Sequence, residues 1–200
     1  MKLQKLFLAA VIVLSANAAI AQGPVSTSHI VNIQIPEIAL LDLEGPGDVS
    51  DITLSGSMPA DAGLPMTFEP LIATNATIWM NYTSIVKGNG AGGATSRNVF
   101  VKITGAGDVP AGLKLTVEAG IYEGTGKGTK GTKTGTIILD KTTDAVIVEG
   151  IGSVYTGNKT TNGHQLTYKL DYAGTATDYA DLDFSNSGDL TITYTLTDNI

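Results

Sequence analysis

The chain of 200 residues has no cysteine, a single arginine and two histidines. The lack of cysteine excludes disulfide bonds, thiol catalysis, cysteine-bound zinc and a lipid anchored on cysteine. Two histidines are too few for a histidine-rich metal site. Only 16% of the residues are charged, against roughly a quarter in a typical domain, and the formal net charge is −7. An acidic chain with one arginine is a poor candidate for binding nucleic acid or an anionic membrane surface.

Polar character comes instead from 26 threonines and 24 glycines. Threonine favours strands and glycine favours turns, so this composition indicates an all-β protein.

The first 21 residues have the pattern of a secretory signal peptide. Lys2 and Lys5 precede the apolar run Leu6–Leu14, and Ala19-Ile20-Ala21 supplies the small residues that a signal peptidase requires. The run is too short for a membrane-spanning helix, which needs about 20 apolar residues. We therefore expect cleavage after Ala21.

Cleavage would leave 179 residues and, with two lysines lost, a net charge of −9. No second long apolar run follows, so we expect a mature chain without a transmembrane segment. This layout favours a secreted protein or one of the bacterial cell envelope or surface.

Short alternating apolar runs bounded by turn residues recur along the mature chain. They predict strands at Ile30–Ile35, Ile38–Leu43, Ile52–Leu54, Ala76–Val86, Val99–Ile103, Leu113–Val117, Thr136–Leu139, Ala145–Val148, Leu166–Leu170 and Leu190–Leu196. We expect nine to eleven short antiparallel strands in one Ig-like or Greek-key β-sandwich over residues 37–200. The pair Thr136–Leu139 and Ala145–Val148 is predicted to form a hairpin.

A glycine-rich segment, Gly124–Gly135, carries Lys127, Lys130 and Lys133 at a spacing of three. Its composition predicts a solvated hairpin tip. An alternative is that these lysines contact an anionic glycan or an acidic neighbouring subunit.

Few residues point to catalysis, and we expect that the protein is not an enzyme. His29 and His164 lie outside any nucleophile motif and are interpreted as turn or edge residues. A small secreted hydrolase remains an alternative, in which Glu118, Glu123 or Glu149 would supply paired carboxylates. Trp79 is the single tryptophan, whereas sugar-cleaving clefts usually present several aromatic side chains.

Four carboxylates near the C-terminus suggest a second alternative, a calcium-binding or glycan-binding module. They are Asp178, Asp181, Asp183 and Asp189. Oxygen-rich loops suit Ca²⁺, although this segment lacks the glycine and the closing glutamate of an EF-hand. The favoured interpretation is a polar loop and no cofactor.

Residues 22–36 are predicted to be an N-terminal extension that contains a possible donor strand. Ile30, Val31, Ile33 and Ile35 give an alternating apolar pattern, and Pro36 separates it from the rest of the chain. Such a segment can add to an exposed sheet edge of a neighbouring molecule, with main-chain hydrogen bonds and side-chain pockets. It could equally be the first strand of its own sandwich.

The two ends of the chain resemble those of bacterial fimbrial subunits of the chaperone–usher kind. These subunits have a signal peptide, an alternating N-terminal donor strand, and a final alternating strand with a preceding glycine and a late tyrosine, here Gly188 and Tyr194. Tyr194 is not penultimate, and the cysteine pair of many such subunits is missing. The stretch from Tyr194 to Asp198 also resembles the end of WxL surface domains, with tyrosine in place of tryptophan. Both resemblances imply a structural or adhesive surface protein with protein partners or self-assembly.

Overall fold

The computed structural model describes residues 27–45, 51–68, 78–88, 94–185 and 188–199. The chain divides into two compact units, residues 1–34 and 35–200. The predicted signal peptide lies outside the described residues. Within the first unit, residues 27–34 form no strand and are exposed.

The second unit is built from eleven strands. They are β1 (Ile38–Glu44), β2 (Gly56–Ser57), β3 (Thr67–Phe68), β4 (Ile78–Ile85), β5 (Ser96–Thr104), β6 (Leu113–Glu123), β7 (Lys127–Lys133), β8 (Ile137–Ile138), β9 (Ala145–Tyr155), β10 (Gly163–Tyr172) and β11 (Thr191–Asn199). The described residues contain no helix, and hence none long and apolar enough to cross a membrane. The predicted all-β class is confirmed.

All strand pairs are antiparallel, and they fall into two groups. One group runs in the order β11-β5-β9-β7 and the other in the order β1-β4-β10-β6-β8. The groups are joined where Thr83 and Ser84 of β4 pair with Tyr155 and Val154 of β9. The short strands β2 and β3 form a separate pair. This arrangement is consistent with the predicted β-sandwich.

The alternating sequence pattern explains the position of the core. On β5, Val99, Val101 and Ile103 are fully buried, whereas the residues between them are only half-buried. Leu166 and Tyr168 on β10 follow the same rule. Burial of one face of each strand is what a period of two requires. The core formed by these faces extends over β4, β5, β6, β9 and β10.

Two local predictions were wrong. Ile52–Leu54 is not a strand, although Ile52 and Leu54 pack against the core. The expected hairpin between Thr136–Leu139 and Ala145–Val148 does not form, because β8 pairs with β6 and β9 pairs with β7, β5 and β4. A short apolar run predicts a strand but carries no information on its partner.

The glycine-rich segment was also predicted incorrectly, since Lys127–Lys133 is strand β7 rather than a hairpin tip. Glycine is needed here by close approach of two backbones. A Cβ atom at Gly126 or Gly128 would overlap the carbonyl oxygens of Tyr155 and Ser153 on β9. The glycines that suggested a flexible turn therefore permit tight pairing with β9.

Candidate functional site

The N-terminal segment presents apolar side chains to solvent. Ile30, Val31, Ile33 and Ile35 are 88, 67, 82 and 74% exposed. Residues 27–37 form no strand, so the interpretation of Ile30–Ile35 as the first strand of its own sandwich was wrong. A run of exposed β-branched residues with alternating apolar positions is typical of a segment that can pair as a strand.

A groove of about 500 Å³ lies between β1 and β11 in the second unit. Ala39, Leu41, Asp42, Leu43, Tyr194, Thr195 and Leu196 line it. The leucines and the tyrosine are half-buried and pack against the core, so the groove presents some apolar side chains within a lining that is more polar than apolar.

Both strands that border the groove are at a sheet edge among the described residues. There β1 pairs only with β4 and β11 pairs only with β5. Each therefore offers a row of backbone N–H and C=O groups on its other side.

A hydrogen bond between two hydroxyls holds Tyr194, one of the residues that line the groove. The Tyr194 hydroxyl lies 2.6 Å from the Tyr168 hydroxyl. Burial raises the pKa of Tyr168 to about 12 and the pKa of Tyr194 well above its ordinary value. Both side chains are therefore neutral hydrogen-bonding groups at any ordinary pH.

Arg97 binds groups at the beginning of β1 and at the end of β11. This only arginine of the chain lies on β5, and its side chain is 3% exposed. Its guanidinium donates to carboxylate oxygens of Glu37, directly before β1, and of Asp198 on β11. These two carboxylates remain 59 and 40% exposed. The Arg97–Glu37–Asp198 cluster thus joins the beginning of β1 to the end of β11.

The same guanidinium also binds oxygen atoms in the interior of the protein. It donates to the carbonyl oxygens of Ile38 and Ile85, at 2.5 and 3.2 Å, and to the Ser84 hydroxyl at 3.1 Å. One buried side chain on β5 therefore connects β1, β4 and β11. A buried cation is tolerated only when it is paired and fully hydrogen-bonded in this way.

Sequence reasoning missed Arg97, although a signal for it was present. Val99, Val101 and Ile103 define the inward face of β5, and Arg97 falls on that face by the same period of two. An arginine on an inward face requires carboxylate or carbonyl partners nearby.

Three of the four aspartates accept hydrogen bonds within their own turns. Asp178 accepts hydrogen bonds from the backbone N–H groups of Gly174 and Thr175 and from the Thr175 hydroxyl, which lowers its pKa. The hydroxyls of Thr177 and Ser185 donate to Asp181 and Asp183, respectively.

Asp189 is the fourth of these aspartates, and it is exposed. In the described part of the chain, no three His, Asp or Glu side chains are grouped so that they could hold a metal ion. The arrangement gives the calcium alternative no support there.

Two of the three lysines of β7 contact other side chains of the protein. Lys133 Nζ lies 2.6 Å from the Glu118 carboxylate, which lowers the pKa of Glu118. Lys130 Nζ lies 4.3 Å from the centre of the Tyr122 ring, in a cation–π contact. Lys127 is exposed. The predicted basic loop is therefore a strand on which two of three lysines have partners within the protein.

Of the carboxylates considered for catalysis, Glu118 and Glu123 lie on β6 and Glu149 lies on β9. Glu118 also accepts a hydrogen bond from Thr136, whereas Glu123 ends β6 and Glu149 lies on β9, both exposed. Trp79 is buried on β4 and cannot stack on a sugar at the surface. His29 is exposed in the N-terminal segment.

His164 is not the turn or edge residue that the sequence predicted. It is 1% exposed on β10, which lies between β4 and β6. Its Nδ1 lies 2.9 Å from the Gly120 carbonyl oxygen and its Nε2 lies 3.0 Å from the Tyr82 hydroxyl. Burial lowers the pKa of His164. The ring thus connects three neighbouring strands of the core.

Comparison of the chain with protein-family models, with curated proteins and with solved structures found no match.

Proposed function

We propose that this protein is an exported structural or adhesive surface protein that assembles by β-strand addition. Residues 30–35 of one copy add to β11 of the next copy, in the groove between β1 and β11, on the side of β11 where no described strand pairs with it. The observation that carries this proposal is the combination of an exposed alternating apolar segment with a groove between β1 and β11, two strands that each have one strand partner among the described residues.

Burial of the N-terminal segment supplies the driving force. Val31, Ile33 and Ile35 occupy alternate positions and would point together into the groove. Burying a fully exposed Val or Ile side chain stabilises a complex by about 1.5–3 kcal/mol. The three side chains together contribute roughly 5 kcal/mol before the cost of ordering the segment is subtracted.

The groove provides matching chemistry. Leu41 and Leu43 on one side and Tyr194 and Leu196 on the other supply apolar contacts, and the β11 edge supplies main-chain hydrogen bonds. In this process an uncovered edge that favours aggregation becomes a specific contact.

The proposed location at the cell surface rests on the signal-peptide pattern of residues 1–21. The composition supports the same role, because a charge-poor, threonine-rich chain without cysteine has few side chains that oxidation or reactive chemistry can damage.

A matched pair of variants tests the proposal. Ile33→Asp places a charge on the side of the segment that enters the groove, whereas Gln34→Asp places the same charge on the opposite side. Size-exclusion chromatography with light scattering gives the mass of each chain, beginning at Gln22 and without boiling. We expect large species for the native sequence and for Gln34→Asp, and a monomer for Ile33→Asp.

Two results would contradict the proposal. The first is a monomer for the native sequence at the highest concentration reached. The second is equal assembly of Ile33→Asp and Gln34→Asp, which would show that the apolar face of the segment is not used.

A further inference from the structure

We infer that His29 of the added segment fixes the register of strand addition by docking against the Arg97–Glu37–Asp198 cluster of the receiving copy. This inference rests on the proposed function and names the residue that sets its geometry. It follows from the order of side chains along β11 and along the N-terminal segment.

The inward face of β11 changes character along its length. Ile192, Tyr194 and Leu196 pack against the core, and the next residue on that face is Asp198, bound to Arg97. The inward face of β11 is therefore apolar from Ile192 to Leu196 and ionic at Asp198.

The N-terminal segment has the same order of side chains in the reverse direction. His29, Val31, Ile33 and Ile35 share one face of an extended chain. In an antiparallel pairing, His29 lies opposite Asp198, and the three apolar residues lie opposite Leu196, Tyr194 and Ile192. The outward faces also match in this register, because the polar residues Asn32 and Gln34 lie opposite Thr195 and Thr193.

The charge of the cluster favours a donor or cation at this position. Two carboxylates share one guanidinium, so the cluster has a net charge of −1 while Glu37 and Asp198 are ionised. An imidazole donates a hydrogen bond in its neutral form and two in its cationic form. His29 therefore adds a donor where the cluster has an excess of acceptors.

Other registers lose this match. A shift of two residues towards the start of β11 places His29 over Leu196, and the opposite shift places Val31 over Asp198. A parallel pairing that keeps Ile33 and Ile35 opposite Tyr194 and Leu196 brings Glu37 of the added copy next to Asp198, which is a repulsion between like charges.

Cysteine cross-linking measures the register directly, because the native chain contains no cysteine. One copy carries Asn32→Cys and the other carries Thr195→Cys, Thr193→Cys or Thr197→Cys. Residues directly opposite each other have Cα atoms within the 4.4–6.8 Å that a disulfide allows, whereas diagonal neighbours are roughly 7–8 Å apart. We expect the disulfide with Thr195→Cys to form at least about tenfold faster than with either neighbour.

The role of His29 is tested with a second matched pair. His29→Glu brings a third carboxylate to the cluster, whereas Ser28→Glu adds the same charge on the outer face of the segment. We expect His29→Glu to weaken assembly by about tenfold or more relative to Ser28→Glu. His29→Lys restores a cation and should assemble like the native chain.

The outcomes separate this inference from the proposed function. Assembly with preferential cross-linking at Thr193→Cys or Thr197→Cys overturns the register while strand addition stands. Equal assembly of His29→Glu and Ser28→Glu overturns the role of His29. Failure of the native sequence to assemble overturns the proposed function itself.

Discussion

Replacement of Arg97 by alanine tests the structural basis of the groove. The guanidinium donates to two carboxylates and to three further acceptors, the Ser84 hydroxyl and the carbonyl oxygens of Ile38 and Ile85. Each buried acceptor left without a donor costs about 1–3 kcal/mol. The carboxylates are partly exposed and can be rehydrated, so each contributes about 1 kcal/mol or less.

With the lower end of that range for the three acceptors and the two carboxylates added, Arg97→Ala is predicted to lower the free energy of unfolding by about 3–5 kcal/mol. For a protein of this size, such a loss lowers the melting temperature by roughly 10 °C. Urea denaturation followed by the fluorescence of buried Trp79 measures the change. The assay is carried out on the Ile33→Asp background, which removes any contribution from assembly.

Ion pairs on the surface of the same strand provide the control. Lys102 of β5 lies 2.9 Å from Asp144, and both side chains are substantially exposed. Lys102→Ala should change the free energy of unfolding by about 0.5 kcal/mol or less. A loss below about 1 kcal/mol for Arg97→Ala would refute the reasoning, because the buried acceptors would then have found other donors.

Three further predictions concern the core and the turns. Because burial lowers the pKa of His164, the unfolded chain binds its proton more readily, and stability should fall as the pH drops below about 6.5. His164→Gln should remove that part of the pH dependence, measured by urea denaturation at several pH values. Gly163→Ala should cost about 2 kcal/mol or more, since φ is 84° and a Cβ would overlap the Met80 carbonyl oxygen, whereas Gly135→Ala should be nearly neutral in the same assay. The Thr142 hydroxyl and neighbouring N–H groups lower the pKa of Asp140 to about 2, so its stabilising effect is present above pH 4 and is lost as the pH falls towards 2. NMR titration should show that Thr142→Ala raises this pKa, and an unchanged value would contradict the assignment.

The strands that bury one face were predictable from sequence. Val99, Val101 and Ile103 alternate with more exposed residues, and an apolar period of two is typical of a strand that buries one face. The pairing partners were not predictable, because β9 contacts β4, β5 and β7, and nothing in its own sequence specifies three neighbours.

Strand β7 shows a second limit of strand prediction from hydrophobic patterns. Its residues read Lys-Gly-Thr-Lys-Gly-Thr-Lys, which has no apolar face and has glycine at positions typical of turns. It is a strand because its backbone pairs with β9, and the glycines allow the two chains to approach. Such a strand depends on its partner and is invisible to hydrophobic patterning.

The candidate site could be predicted only in part. The alternation of Ile30, Val31, Ile33 and Ile35 predicts a possible donor strand, and the structure shows that these side chains are exposed. The groove was not predictable, because it requires β1 and β11, more than 140 residues apart, to lie near each other in the fold. The period of two places Arg97 on the inward face of β5, but the sequence does not identify the groups that bind its guanidinium.

Hydrogen exchange of the assembled protein tests the central claim most directly. We compare amide exchange in the native assembly with that in the monomeric Ile33→Asp variant, residue by residue. Strand addition predicts that residues 30–35 and the outward amides of β11 become protected together on assembly. Protection of residues 30–35 without any change along β11, or assembly that leaves residues 30–35 unprotected, would contradict it.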